Sequence, residues 1–74
     1  MDLKKYAGKR VKITTKNPTA VFIGPLDDYI WPEDNENGKE SVIIVCEEGS
    51  YFAKGTSVEF YESDIDKIEI LEKK

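Results

Sequence analysis

One segment, residues 21–31, constrains the fold of this chain more than any other. It is apolar on both faces and too long for an ordinary half-buried strand, and Gly24-Pro25 interrupts it. Glycine lets a strand bend sharply and proline cannot donate a hydrogen bond to a neighbouring strand, so the pair predicts a bend or a bulge. A long strand that bends midway lets a very small sheet curl into a barrel, so the segment predicts a barrel.

Short segments on both sides of the bent strand complete a mainly β chain. Apolar residues predict strands at 10–14, 41–46, 58–60 and 67–71, with a tight helical turn before the last strand. Leu3 and Tyr6 have helical spacing between Asp2, a candidate N-cap, and Gly8, which predicts one or two helical turns. Residues 51–53 fit either a hairpin tip or a short extra strand. The predicted fold is all-β, a single domain over residues 1–74 that forms a small, five-stranded, strongly bent antiparallel barrel with a short N-terminal helix.

Charge is unevenly distributed along the 74 residues, whose formal net charge is -4. Residues 1–17 carry six basic side chains and one acidic side chain, whereas residues 18–74 carry five basic and fourteen acidic side chains. One interpretation is neutralisation between a basic first strand and an acidic last strand that includes Glu69 and Glu72. The other is a basic edge for an acidic partner such as RNA or a second copy. The candidate RNA-binding residues are Lys4, Lys5, Lys9, Arg10 and Lys12.

Most catalytic and metal chemistry is excluded by the residues present. The chain has no histidine, and Cys46 is its single cysteine, so we predict no catalytic residues, no metal site and no cofactor. A calcium loop built around Gly38 fails because its twelfth position is Ile44, which lies in a predicted strand. Cys46 has no internal disulfide partner and is expected to be a small buried hydrophobe. The protein is therefore predicted not to be an enzyme.

The apolar runs and the overall charge bear on location and partners. The longest apolar run is five residues, and no charged segment followed by an apolar secretory segment is present, so we expect a cytoplasmic protein with no membrane partner. Net negative charge argues against general nucleic-acid affinity, and a DNA partner is not expected.

Two motifs in the chain have the spacing of a known family. Residues 22–29 fit the pattern aromatic-x-Gly-x-Leu-x-x-aromatic, and residues 58–68 keep the hydrophobic positions of a second motif. The chain thus resembles the Sm/LSm family of small bent-sheet barrels, including short bacterial Sm-like proteins, and SH3-like barrels share part of the spacing. The resemblance implies a short helix, five strands, and assembly in which the fourth strand of one copy adds to the fifth of the next.

The uridine pocket that this resemblance implies is not retained. The four positions that build the pocket in the family carry Ile30, Asp34, Tyr61 and Glu62, and Asp64 replaces the asparagine of the second motif. Tyr61 keeps a ring that stacks on a base, but the carboxylates repel phosphate. U-rich RNA binding is therefore not expected from the resemblance, because function depends on the residues of the site.

Aromatic residues offer a second candidate surface. Trp31 either covers the open end of the barrel core or joins Tyr29, Tyr51 and Tyr61 in an exposed aromatic patch. Tyr29 and Trp31 share a face in the period-two pattern of a strand, with Asp27 on the same side, which favours the patch. The candidate aromatic patch is Tyr29, Trp31 and Tyr61.

Two functional hypotheses remain open at this point. The first is a non-catalytic binding or self-assembly module that pairs strand edges with another copy or another protein. The second is an Sm-like protein that binds RNA through the basic N-terminal segment and stacking aromatic rings. The candidate interface residues of the first are Val58, Phe60, Tyr61, Ile68 and Ile70.

Overall fold

A computed structural model describes residues 2–71 and confirms a mainly β, antiparallel chain. Single 3-10 turns lie before the first strand, after the second and between the fourth and fifth. The strands are β1 (Arg10–Thr15), β2 (Val21–Ile30), β3 (Ser41–Val45), β4 (Ser57–Tyr61) and β5 (Ile65–Ile70), and the turns are Lys4–Tyr6, Pro32–Asp34 and Glu62–Asp64. None of the described helical segments is long and apolar enough to cross a membrane.

The five strands form one sheet in the order β4-β3-β2-β1-β5, with every neighbouring pair antiparallel. The first half of β2 pairs with β1, from Val21 to Pro25, and the second half pairs with β3, from Leu26 to Ile30. The strand therefore changes partner directly after Gly24-Pro25, where the sequence predicts a bend. Over the described residues the sheet is open, and β4 and β5 are its two edges.

Gly24 allows the first half of β2 to cross the end of β3 at close range. A Cβ atom at this position would overlap the carbonyl oxygen of Val45 and lie 2.9 Å from its carbonyl carbon. Residues 26–28 of the same strand also carry a register irregularity against β3. Glycine and a bulge together bend the strand, because the missing side chain lets two backbones meet.

The inward faces of the strands form one apolar core. Val11 and Ile13 are fully buried, as their alternation predicts, and Cys46 is 2% exposed, which confirms it as a buried free thiol. β3 lies between β2 and β4, in agreement with its apolar residues on both faces. The buried apolar residues are Leu3, Val11, Ile13, Ala20, Phe22, Leu26, Val42, Ile44, Cys46, Phe60 and Ile65.

The N-terminal segment contains less helix than the sequence predicts. It forms one 3-10 turn of three residues, and the residue at its N-terminal boundary is Leu3 rather than Asp2. Leu3 is fully buried, and Tyr6 packs against the core. The segment is therefore held by packing rather than by helix propagation, which is unfavourable for so few residues.

The connection between β3 and β4 is a loop that docks on the first half of β2. Residues 51–53 lie within this loop, which joins the paired strands β3 and β4, so they belong to the tip of a hairpin and form no extra strand. The Ser50 hydroxyl accepts from the Ile23 amide at 2.8 Å and donates to the Ile23 carbonyl at 3.0 Å. The Tyr51 amide donates to the Val21 carbonyl at 2.7 Å, so the loop satisfies backbone groups of β2 on the side away from β1.

Candidate functional site

The end of β2 presents a pair of aromatic rings, which we call the Tyr29–Trp31 patch. The two ring centroids lie 5.5 Å apart in an edge-to-face arrangement, and Trp31 is 47% exposed. The ammonium of Lys4 lies 4.6 Å from the centroid of the Trp31 ring. Trp31 thus belongs to an exposed patch rather than to a cover over the core, and a cation already occupies one face of its ring.

Glu40 connects this patch to the N-terminal segment. The Tyr29 hydroxyl donates to Glu40 Oε1 at 2.6 Å, and the Leu3 amide donates to Glu40 Oε2 at 3.3 Å. The hydrogen bond to the carboxylate raises the pKa of Tyr29 from 10.0 to about 12, with smaller contributions from burial and from negative charge. One carboxylate therefore holds the loop before β3, the end of β2 and Leu3 together.

This hydrogen bond predicts a defined loss of stability in alkali. The pKa of Tyr29 is higher in the folded chain, so its contribution is fully present below pH 10 and is lost as pH rises through about 12. We expect ultraviolet absorbance to show a tyrosine that ionises near pH 12, absent in Tyr29→Phe. Glu40→Gln should return the pKa of Tyr29 toward 10. An unchanged titration in Glu40→Gln would contradict the assignment of the raised pKa to this hydrogen bond.

Tyr61 does not join the predicted three-residue patch. Tyr29 lies opposite the buried Val42 and packs toward the core, whereas Tyr61 lies opposite Ser41, the preceding residue of β3. Successive strand residues point to opposite faces, so the two tyrosines lie on opposite faces of the sheet. Within residues 2–71 no ring contact joins Tyr61 to Trp31 or Tyr29.

A second aromatic cluster lies beside β4 and was not singled out from the sequence. The ring of Phe22 meets those of Phe60, Phe52 and Tyr51, with centroids 4.9, 5.4 and 6.0 Å away. The rings line a groove of about 310 Å³. We call it the aromatic groove and define it by Phe22, Tyr51, Phe52, Val58 and Phe60. The available signal was the Tyr51-Phe52 pair in a segment between two glycines, which places two large rings on a loop.

The predicted interface residues are divided between the two edges of the sheet. On β4, Val58 and Tyr61 are half-buried, but Phe60 is only 4% exposed and belongs to the core. On β5, Ile68 packs partly against the core and Ile70 is 45% exposed. Phe60 therefore reaches a partner only as the floor of the aromatic groove, and charge introduced there would test the core rather than an interface.

The basic N-terminal residues make different contacts, and one of them is paired with a carboxylate. Arg10 binds both carboxylate oxygens of Glu47 through Nε, at 3.0 and 3.1 Å, and Nη2 lies 2.9 Å from Oε1. The hydrogen bond from Arg10 lowers the pKa of Glu47, and the same bond raises that of Arg10. Arg10 is thus engaged by a carboxylate from the β3–β4 loop, a pairing that no sequence pattern indicated.

Each of the remaining basic candidates has its own contact. Lys12 lies directly opposite Glu69 in the pairing of β1 with β5, as cross-strand neutralisation predicts, whereas Glu72 lies outside the described residues. Lys5 lies 5.3 Å from the ring of Tyr6, and Lys4 lies over Trp31. Lys9 connects the first 3-10 turn to β1, where its amide donates to the Tyr6 carbonyl.

A larger cleft lies next to the third 3-10 turn. It has a volume of about 620 Å³, and its charged lining is mixed, with Lys16 and Lys39 beside Glu40 and Glu62. Over residues 2–71 no three side chains of metal-binding type come together.

Comparison with known proteins returned no match among family models, curated proteins or solved structures.

Proposed function

We propose that this protein is a non-catalytic binding and self-assembly module that acts through strand-edge pairing, with β4 of one copy adding to β5 of the next. In this proposal the bent sheet is a small barrel of the Sm-like or SH3-like kind that is open between β4 and β5. A second copy fills the opening. We place the protein in the cytoplasm, where its only cysteine remains a free buried thiol.

One observation carries the proposal: exposed apolar side chains concentrate at the two free edges. Four large hydrophobic residues are exposed among the described residues, and three of them lie at β5 or beside β4. Ile70 is on β5, and Tyr51 and Phe52 border the groove next to β4. An edge strand with unpaired backbone groups and adjacent apolar surface is a template for another strand. The strand order β4-β3-β2-β1-β5 leaves these two edges for such pairing.

The resemblance to the Sm/LSm family supports the same arrangement, since it implies that the fourth strand joins the fifth of a neighbour. The loss of the uridine-pocket residues argues that assembly, rather than recognition of a base, is the property retained. The alternative partner for the β4 edge is a strand supplied by a different protein.

Ile70→Glu tests the proposal directly. The carboxylate would lie at the edge that pairs with the next copy, where loss of contact with water is costly, so we expect the native mass to fall to that of one chain while the circular dichroism spectrum stays unchanged. Trp31→Glu is the matched control, because Trp31 is exposed to a similar extent, 47% against 45%, but lies away from both edges. It should keep the mass of the unmodified protein. An equal loss of mass in both variants would move the interface to the Tyr29–Trp31 patch.

RNA binding is the alternative function, and the contact of Lys4 with Trp31 favours it. A cation beside an exposed indole is a surface on which an unpaired base stacks. The engagement of Arg10 by Glu47 and the acidic remainder of the chain oppose it. This alternative requires that a single-stranded oligonucleotide binds, that the affinity falls steeply with salt, and that Lys4→Ala weakens it. Binding that is absent or independent of salt rejects it.

A further inference from the structure

We infer that Glu59 on β4 of one copy lies beside Lys67 on β5 of the next, with Ile68 of that neighbour against the aromatic groove. This register rests on the edge pairing proposed above and specifies which residues meet. The facing of the side chains on each edge and their charges determine it.

The facing of β4 follows from its pairing with β3. Val58 lies opposite Ile44 and Phe60 opposite Val42, and both β3 residues are fully buried. Directly opposed residues in an antiparallel ladder point to the same face, so Val58 and Phe60 face the core. Glu59, between them, points to the outer face.

The facing of β5 follows in the same way from β1. Ile68 lies opposite Ile13 and Ile70 opposite Val11, and both β1 residues are fully buried. Ile68 and Ile70 therefore face the core side of the sheet. Lys67 and Glu69 point to the outer face.

Only a few registers keep both faces in phase across such an interface. Side chains alternate with a period of two, so a shift of one residue would place Glu59 beside Ile68 and mix the faces. The in-phase choices place Glu59 beside either Lys67 or Glu69 with the two strands parallel, because the backbone groups of Glu59 face the free edge of β4 whereas those of Lys67 and Glu69 bond to β1. Like charges directly opposed are destabilising, which selects Lys67.

The charges already paired within one copy favour the same choice. Glu69 lies opposite Lys12 on β1, whereas the neighbour of Lys67 across the ladder is the uncharged Thr14. Of the two charged residues on the outer face of β5, Glu69 therefore has an oppositely charged cross-strand neighbour and Lys67 does not. A carboxylate from a second copy supplies that charge.

The aromatic groove provides the apolar half of the contact. With Glu59 beside Lys67 in a parallel ladder, the core-facing Ile68 lies beside Phe60, which lines the groove. The partly exposed rings of Tyr51 and Phe52 flank that position. The free length of β4 ends at Tyr61, whose amide donates to Asp64 Oδ2 at 3.0 Å within its own chain. Pairing is thus confined to the part of β4 that borders the groove.

Disulfide trapping between copies tests the register. Glu59→Cys and Lys67→Cys are prepared as separate proteins, and equal amounts are mixed and oxidised mildly, so that a mixed disulfide joins only different chains. Paired strand residues bring Cα atoms within the 4.4–6.8 Å range of a disulfide. Cys46 is 2% exposed and does not compete. Ser41 donates to Glu59 at 2.7 Å and keeps the Asn35 amide at 3.1 Å as a partner when Glu59 is replaced.

The matched control is Glu59→Cys mixed with Glu69→Cys, which reports the competing register. We expect the mixed disulfide to form faster with Lys67→Cys than with Glu69→Cys. Preferential trapping at position 69 in a protein that remains assembled overturns the register and leaves the proposed function standing. A protein that is monomeric and forms neither disulfide overturns both the register and the proposed function.

Charge reversal gives a second readout that needs no cysteine. Lys67→Glu should weaken self-association about fivefold, which corresponds to about 1 kcal/mol for one cross-strand pair. Combining it with Glu59→Lys should restore the association, because the pair is inverted rather than removed. A double variant as weak as the sum of the two single variants contradicts the contact.

Discussion

Gly24→Ala is expected to lower the free energy of unfolding by about 3 kcal/mol, because its Cβ atom would overlap the backbone carbonyl of Val45. The two Val45 atoms that the Cβ would meet belong to the backbone and cannot move aside as a flexible side chain can, so β2 must separate from the end of β3. A chain of this length has a total stability of roughly 4–11 kcal/mol, and the substitution therefore removes a large share. Denaturant titration at a fixed protein concentration measures the loss.

Gly38→Ala is the matched control for this substitution. Gly38 has φ +71° with no atom near its missing Cβ, so alanine there carries only the cost of the left-handed conformation, about 1–2 kcal/mol. The Gly24 variant should be clearly the less stable of the two. Equal losses in the two variants would mean that the close approach of β2 to β3 does not hold the bend.

Phe22→Ala is expected to cost about 3–5 kcal/mol, since it removes the ring on which the aromatic groove is built. Phe22 is buried and contacts three other rings from β4 and from the β3–β4 loop. Its removal leaves a cavity that backbone pairing prevents from closing. Denaturant unfolding again measures the change.

Tyr51→Ala provides the control within the same cluster. Tyr51 touches Phe22 at a centroid distance of 6.0 Å but is 67% exposed, so its removal should cost about 1 kcal/mol. Should Phe22→Ala prove as mild as Tyr51→Ala, the groove would be a surface feature with no part in the core.

Local signals in the sequence were sufficient for the strands and for much of the core. The alternation in residues 10–14 placed Val11 and Ile13 inward, and Gly24-Pro25 marked the point where β2 changes partner. Both signals arise from neighbouring residues, so they are present in the linear chain. The N-terminal helix was not predicted correctly from such local signals. The segment forms a single 3-10 turn, which depends on the burial of Leu3 rather than on helical spacing.

The contacts that define the candidate surfaces are non-local. Arg10 and Glu47 are 37 residues apart, as are Leu3 and Glu40, and no periodicity links them. The register irregularity at residues 26–28 likewise interrupts the period-two pattern that placed Asp27 on the face of Tyr29. Tyr61 was grouped with the other aromatic residues by composition, and the strand register then placed it on the opposite face from Tyr29.

The native mass in solution, measured by light scattering during size-exclusion chromatography over a range of concentrations, tests the central proposal most directly. Pairing of β4 with β5 of the next copy predicts a mass that is a multiple of the 8.4 kDa chain, and a closed ring predicts one discrete multiple. A mass of one chain at every concentration would contradict self-assembly through these edges.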